Sequence, residues 1–80
     1  MRFSYDPRRN VAYLRFRTVT GDVETVRVSE DINIDFASDG SVTGIELLNA
    51  NEQLRAGDDG QFVFADEAHG RETKLPLPAM

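Results

Sequence analysis

Asp31-Ile32-Asn33-Ile34-Asp35-Phe36-Ala37-Ser38-Asp39-Gly40-Ser41-Val42-Thr43-Gly44-Ile45-Glu46-Leu47-Leu48 decides the fold, because it alternates polar and apolar residues on both sides of an Asp-Gly pair. Alternation with period two is the pattern of a strand with one covered face, and Asp-Gly between two such runs is a strong hairpin signal. A two-residue type I′ loop at Asp39-Gly40 sets Ser38 opposite Ser41, Phe36 opposite Thr43, Ile34 opposite Ile45 and Ile32 opposite Leu47. It also sets Asp35 opposite Gly44 and Asn33 opposite Glu46. One face of the hairpin is then oily and the other acidic. A slip by one residue turns the whole aliphatic set to solvent, so the register is well specified.

Outward from this hairpin the chain reads as more of the same sheet. Phe3 to Tyr5 is short and extended, and Asp6-Pro7-Arg8-Arg9-Asn10 is a turn. Val11 to Arg17 alternates, with Ala12, Leu14 and Phe16 on one side and Tyr13, Arg15 and Arg17 on the other. After a loop from Thr18 to Asp22, Val23 to Val28 alternates again, with Val26 and Val28 inward and Thr25 and Arg27 outward. The expected fold is mainly β, a small antiparallel meander in sequence order with a short helical segment and an irregular C-terminal tail. Residues 49–57 suit two helical turns closed by Gly57, anchored by Leu54. Asp58-Asp59-Gly60 is a turn, Gln61 to Ala65 a short strand, and Lys74-Leu75-Pro76-Leu77-Pro78 an extended tail because of its prolines. The expected division is a β-meander domain over residues 1–57, with residues 58–80 either part of it or appended to it.

Eighty residues make one domain, which buries only roughly 60 to 65% of the surface that its unfolded chain exposes. There is no cysteine, hence no disulfide or thiolate metal site, and the composition fits a reducing cytosol. Neither a signal peptide nor a membrane span is visible, so a soluble cytoplasmic protein is expected. The oily face, made of Ala12, Leu14, Phe16, Val26, Val28, Ile32, Ile34, Phe36, Ile45 and Leu47, has too little chain to cover it. A homo-oligomer through that face, or a small protein partner, is therefore expected. Net charge is −5, with six Arg against four acids in residues 1–30 and three bases against ten acids thereafter. An acidic chain is poorly suited to duplex nucleic acid, whose binding relies on phosphate neutralisation.

With these elements placed, the chain resembles the family catalogued as domain of unknown function 2283. Tyr5-Asp6-Pro7 with Ala12-Tyr13-Leu14-Arg15-Phe16 is similar to the family's opening. Val28 with Ile32-Asn33-Ile34-Asp35 is similar to its centre, and Asp39-Gly40 with Gly44-Ile45-Glu46-Leu47-Leu48-Asn49-Ala50 to its closing signature. The resemblance covers residues 3–51. It implies a small β-rich fold and carries over no catalytic or ligand residue, and it makes an antitoxin-like partner role a candidate.

Chemistry-bearing constellations are few. Asp31, Asn33 and Asp35 space like the start of a calcium loop, but Phe36 stands where Gly is required and Val42 where a bidentate Glu is required. His69, the sole histidine, sits in a polar turn that suits a surface side chain better than a general base. No catalytic residue, cofactor or metal is expected. Two surfaces stand out. Tyr13, Arg15, Arg17 and Arg27 form an aromatic-plus-arginine patch suited to a protein partner, unless it serves only to pair with the acidic row. Asp35, Glu46 and Asn49 are the candidate ligand face. The expected function is a non-catalytic protein-interaction module. The alternative is a small-ligand-binding or hydrolytic protein using the acidic cluster, and a purely structural reading has the oily face consumed by dimerisation.

Overall fold

The Asp39-Gly40 turn forms with one residue more than a type I′ loop holds. In the computed structural model, which describes residues 1–55 and 57–79, the Gly40 amide donates to the Ala37 carbonyl and the Ala37 amide to the Ser41 carbonyl, both at 2.9 Å. The loop is therefore Ser38-Asp39-Gly40, of which only Gly40 takes a positive φ, +88°. This is a three-residue turn ending in a left-handed glycine, a common hairpin solution. The Asp39 carboxylate stabilises it by accepting from the Ser41 amide (2.9 Å) and hydroxyl (2.6 Å). The extra residue brings Phe36 opposite Val42 instead of Thr43. A bulge between Asp35 and Phe36 absorbs the offset, and Asp35↔Gly44, Ile34↔Ile45, Asn33↔Glu46 and Ile32↔Leu47 pair as the alternation requires. Thr43, left over by the bulge, is 4% exposed and its hydroxyl donates to the Asp35 carbonyl.

Five strands build the main sheet: β1 (Arg2–Asp6), β2 (Val11–Arg15), β3 (Val23–Ser29), β4 (Ile32–Ala37) and β5 (Val42–Leu48). All pairs are antiparallel, in the order β1-β2-β5-β4-β3. The mainly β class, with one short helix, stands as expected; the strand order corrects the meander in sequence order. β2 leaves the sequence order and pairs with β5, so that β2 to β5 form a Greek key and β1 extends it by a hairpin. Both pairings keep Leu14 and Ala12 on the oily face, so alternation alone does not choose between them. Residues 16–22 bridge the roughly 14 Å from β2 past β5 and β4 to β3. They cross the same end as the Ser38-Asp39-Gly40 loop, where Arg17 contacts Ser41 and Asp39.

A helix, α1 (Ala50–Arg55), follows β5, with Glu52 in its first turn and Arg55 in its last, each favourable to the helix dipole. Its anchor is the buried Ala50 rather than Leu54, which is half-buried. Gly57 is no left-handed cap: it is extended, at φ −138° and ψ 179°, and the positive φ values fall on Asp58, Asp59 and Gly60 in the left-handed turn that follows. Ala56, inside the expected helical stretch, lies outside the described residues, as does Met80. The chain end is more regular than expected. β6 (Gln61–Asp66) pairs with β7 (Arg71–Pro76) in a separate two-stranded sheet. Pro76 closes β7 at the end of the ladder, opposite Gln61, where a missing amide is tolerated.

The two sheets meet at one flank, where the rings of Phe3 and Phe62 stack with centroids 5.3 Å apart. The molecule measures 37 × 33 × 19 Å. Among the described residues Ala12 and Ala50 are the buried apolar side chains, and no large side chain is fully enclosed. The aliphatic face expected to be inward is thus assembled by the strands but left half-exposed. Val28 falls at a second bulge, between Arg27 and Ser29, and is 57% exposed.

Candidate functional site

The polar face of the sheet is built from two rows of directly opposed residues. One row runs Arg2↔Arg15↔Gly44↔Asp35↔Thr25, and the other Ser4↔Tyr13↔Glu46↔Asn33↔Arg27. Gly44 is the pivot. It has no side chain, so Tyr13 leans diagonally into the space above it, and a Cβ there would lie within the phenol ring. From that position the Tyr13 hydroxyl donates to Asp35 Oδ2 at 2.5 Å, while Thr25 Oγ1 donates to Oδ1 at 2.6 Å. The hydrogen bond to the Asp35 carboxylate, then burial, then the charges of Asp35 and Glu46 push the phenol up to about 12. In the next row Asn33 Nδ2 donates to Glu46 Oε1 at 3.0 Å.

The acidic row is therefore satisfied by neutral donors, not by the arginines. Among the described residues the arginine ion pairs are Arg9–Asp6 and Arg17–Asp39. Arg27 donates through Nε to the Ser29 carbonyl, and Arg17 is drawn toward the β4–β5 turn. Arg2 and Arg15 stand opposite one another, both exposed, and neither forms an ion pair among the described residues. Like charges directly opposed across strands are destabilising, so this end of the face is suited to receive an anion.

The residues of the candidate ligand face are spread out. Asp35 and Glu46 are diagonal neighbours, roughly 7–8 Å apart at the backbone. Asn49 lies past the end of β5, with φ +52°, and its side-chain Nδ2 donates to Glu52 while its Oδ1 accepts from Asn10 Nδ2. There it belongs to a polar knot that sequence reading missed. Asn10, also at positive φ, accepts the Asn51 amide at 2.7 Å. The Asn51 side chain donates to the Pro7 carbonyl and accepts from the Tyr5 hydroxyl. The signal was three asparagines at element boundaries, a residue type that tolerates left-handed backbone and bonds it locally. His69 sits in the β6–β7 turn, where Asp66 accepts from its backbone amide and its Nδ1.

Among the described residues no cluster of three His, Cys, Asp or Glu could hold a metal, and no helix is long and apolar enough to cross a membrane.

Fold and face together define a small, single-layer antiparallel β protein with a hydrogen-bonded polar side and an open apolar side. Residues 2–51, which run from the start of β1 into α1, match the family model described as Protein of unknown function (DUF2283), and the chain belongs to that family. No curated protein and no solved structure matches it.

Proposed function

We propose that this chain is a non-catalytic protein-interaction module that holds an acidic segment of a partner protein on the Arg2–Arg15 end of its polar face. The observation that carries the reading is that opposed pair: two exposed guanidinium groups, neither of which forms an ion pair among the described residues. A partner carboxylate bridging them would relieve their repulsion and accept bidentate hydrogen bonds. Tyr13 beside them is held in one position by Asp35, which lowers the entropy cost of using it as an aromatic contact. Arg27 lies further along the same face, on the far edge strand. An antitoxin-like role, in which the partner is a small protein masked by the complex, is the finer form of this reading. A ligand or hydrolytic site at Asp35, Glu46 and Asn49 draws less support, since both Asp35 oxygens already accept hydrogen bonds and Asn49 serves the polar knot.

The test is capture from a lysate of the encoding organism with tagged wild-type chain and with the double variant Arg2→Glu/Arg15→Glu. The wild type is expected to retain a protein in stoichiometric amount that salt elutes, and the variant to lose it. Equal retention by both would sink the reading.

A further inference from the structure

We infer that the open apolar face of the main sheet is covered by the same face of a second copy of this chain, giving a two-layer sandwich with both polar faces outward. This inference is independent of the partner-binding reading, which uses the opposite face.

The face is one continuous surface. A row of directly opposed residues crosses all five strands as Phe3↔Leu14↔Ile45↔Ile34↔Val26, and the Phe3–Phe62 stack carries it onto the small sheet. The main contacts of the rest of the described chain fall toward its β1–β2 side: α1 packs against β2, and the β6–β7 hairpin meets the sheet at the β1 flank through Phe3 and Phe62. Val26, on the edge strand β3, is 41% exposed.

The area involved matches what a homodimer needs. A compact monomer of 9.0 kDa exposes about 4,850 Å², whereas this chain exposes 6060 Å². The excess, about 1,200 Å² per chain, amounts to about 2,400 Å² in a symmetric pair, within the range of obligate homodimers. The radius of gyration, 14.2 Å against about 11.6 Å for a compact chain of this length, reports the same missing layer.

Charge does not stand against a second copy. At a net −5 two chains repel, yet the row across this face holds no ionised group, and Glu24 at its corner, opposite Phe36, is exposed. Stacking places the charged faces on opposite sides of the sandwich, beyond a Debye length of about 8 Å. A two-fold contact needs only one self-complementary patch, which an all-apolar row provides.

Sedimentation equilibrium of the full chain at micromolar concentration tests the inference, with Val26→Glu and Arg15→Glu as variants and circular dichroism as the check on folding. Val26 lies on the exposed edge strand, so its replacement spares the ladder. The expected result is a wild-type dimer, a dissociation constant raised at least about tenfold by Val26→Glu with an unchanged spectrum, and no change with Arg15→Glu. A wild-type monomer, a dimer indifferent to Val26→Glu, or a one-to-one complex with a different protein on this face would overturn it. A dimer that captures no acidic partner would leave this inference standing and remove the reading of the polar face.

Discussion

Tyr13, Gly44 and Asp35 act as one unit, because the glycine makes room for the phenol that the carboxylate then holds. Tyr13→Phe is expected to cost about 1 kcal/mol, the value of a part-exposed hydrogen bond to a charged group. Gly44→Ala should cost at least as much by expelling the ring. Since both break the same contact, the double variant should destabilise by less than the sum, which a double-mutant cycle in urea would measure. Additivity would show that the ring is not held over Gly44. A pH dependence follows. The Tyr13 pKa is raised in the folded state, from 10.0 to about 12. Its contribution is therefore full below pH 10 and is lost as pH rises toward 12, because the unfolded chain ionises first. Alkaline unfolding of wild type should show this loss and Tyr13→Phe should not. Asp39 has the opposite sign. Ser41 hydrogen bonds hold its carboxyl below 3.8, so its contribution is present above that pH and disappears on further acidification.

Among the elements, the β4–β5 hairpin shows how much local sequence carries and where it stops. Its four central pairs were legible because a wrong register would expose every aliphatic residue at once. The loop length was not, since the Ser38-Asp39-Gly40 turn plus one bulge reaches the same pairing as a two-residue loop. The two differ in a measurable way: only Gly40 needs left-handed backbone, so Gly40→Ala should destabilise by about 1 kcal/mol while Asp39→Ala loses no backbone conformation, only its Ser41 hydrogen bonds and its exposed ion pair with Arg17. Comparable large losses at both positions would point back to a type I′ loop. The polar knot was legible only as residue types. Asn51→Ala, which removes bonds to Tyr5 and Pro7 and leaves the Asn51 amide on Asn10, should loosen α1 without unfolding the sheet. Hydrogen exchange would read this as lost protection confined to α1 and the β1–β2 turn.

For the whole molecule, the consequence of a single layer is that stability depends on what covers it. Ile34 lies at the centre of the apolar row, between Ile45 and Val26. Ile34→Asp places an unpaired charge there and should unfold or dissociate the protein, seen as a large fall in thermal midpoint. A native-like midpoint would refute the facing assigned to β4. The candidate site divides in the same way. Tyr13, Arg15 and Arg27 were assigned to one face by alternation alone, and they share it. That Arg17 turns to Asp39, that the acids bond Tyr13, Thr25 and Asn33, and that Arg2 opposes Arg15 all depend on neighbours across strands. By itself the sequence determined the strands of the main sheet, their two faces and the central register, because a period of two and a turn glycine act over a few residues. Only the tertiary structure decided that β2 joins β5 instead of β3 and that the chain end pairs with itself. Those outcomes rest on contacts between distant segments whose alternation is equally satisfied by either partner.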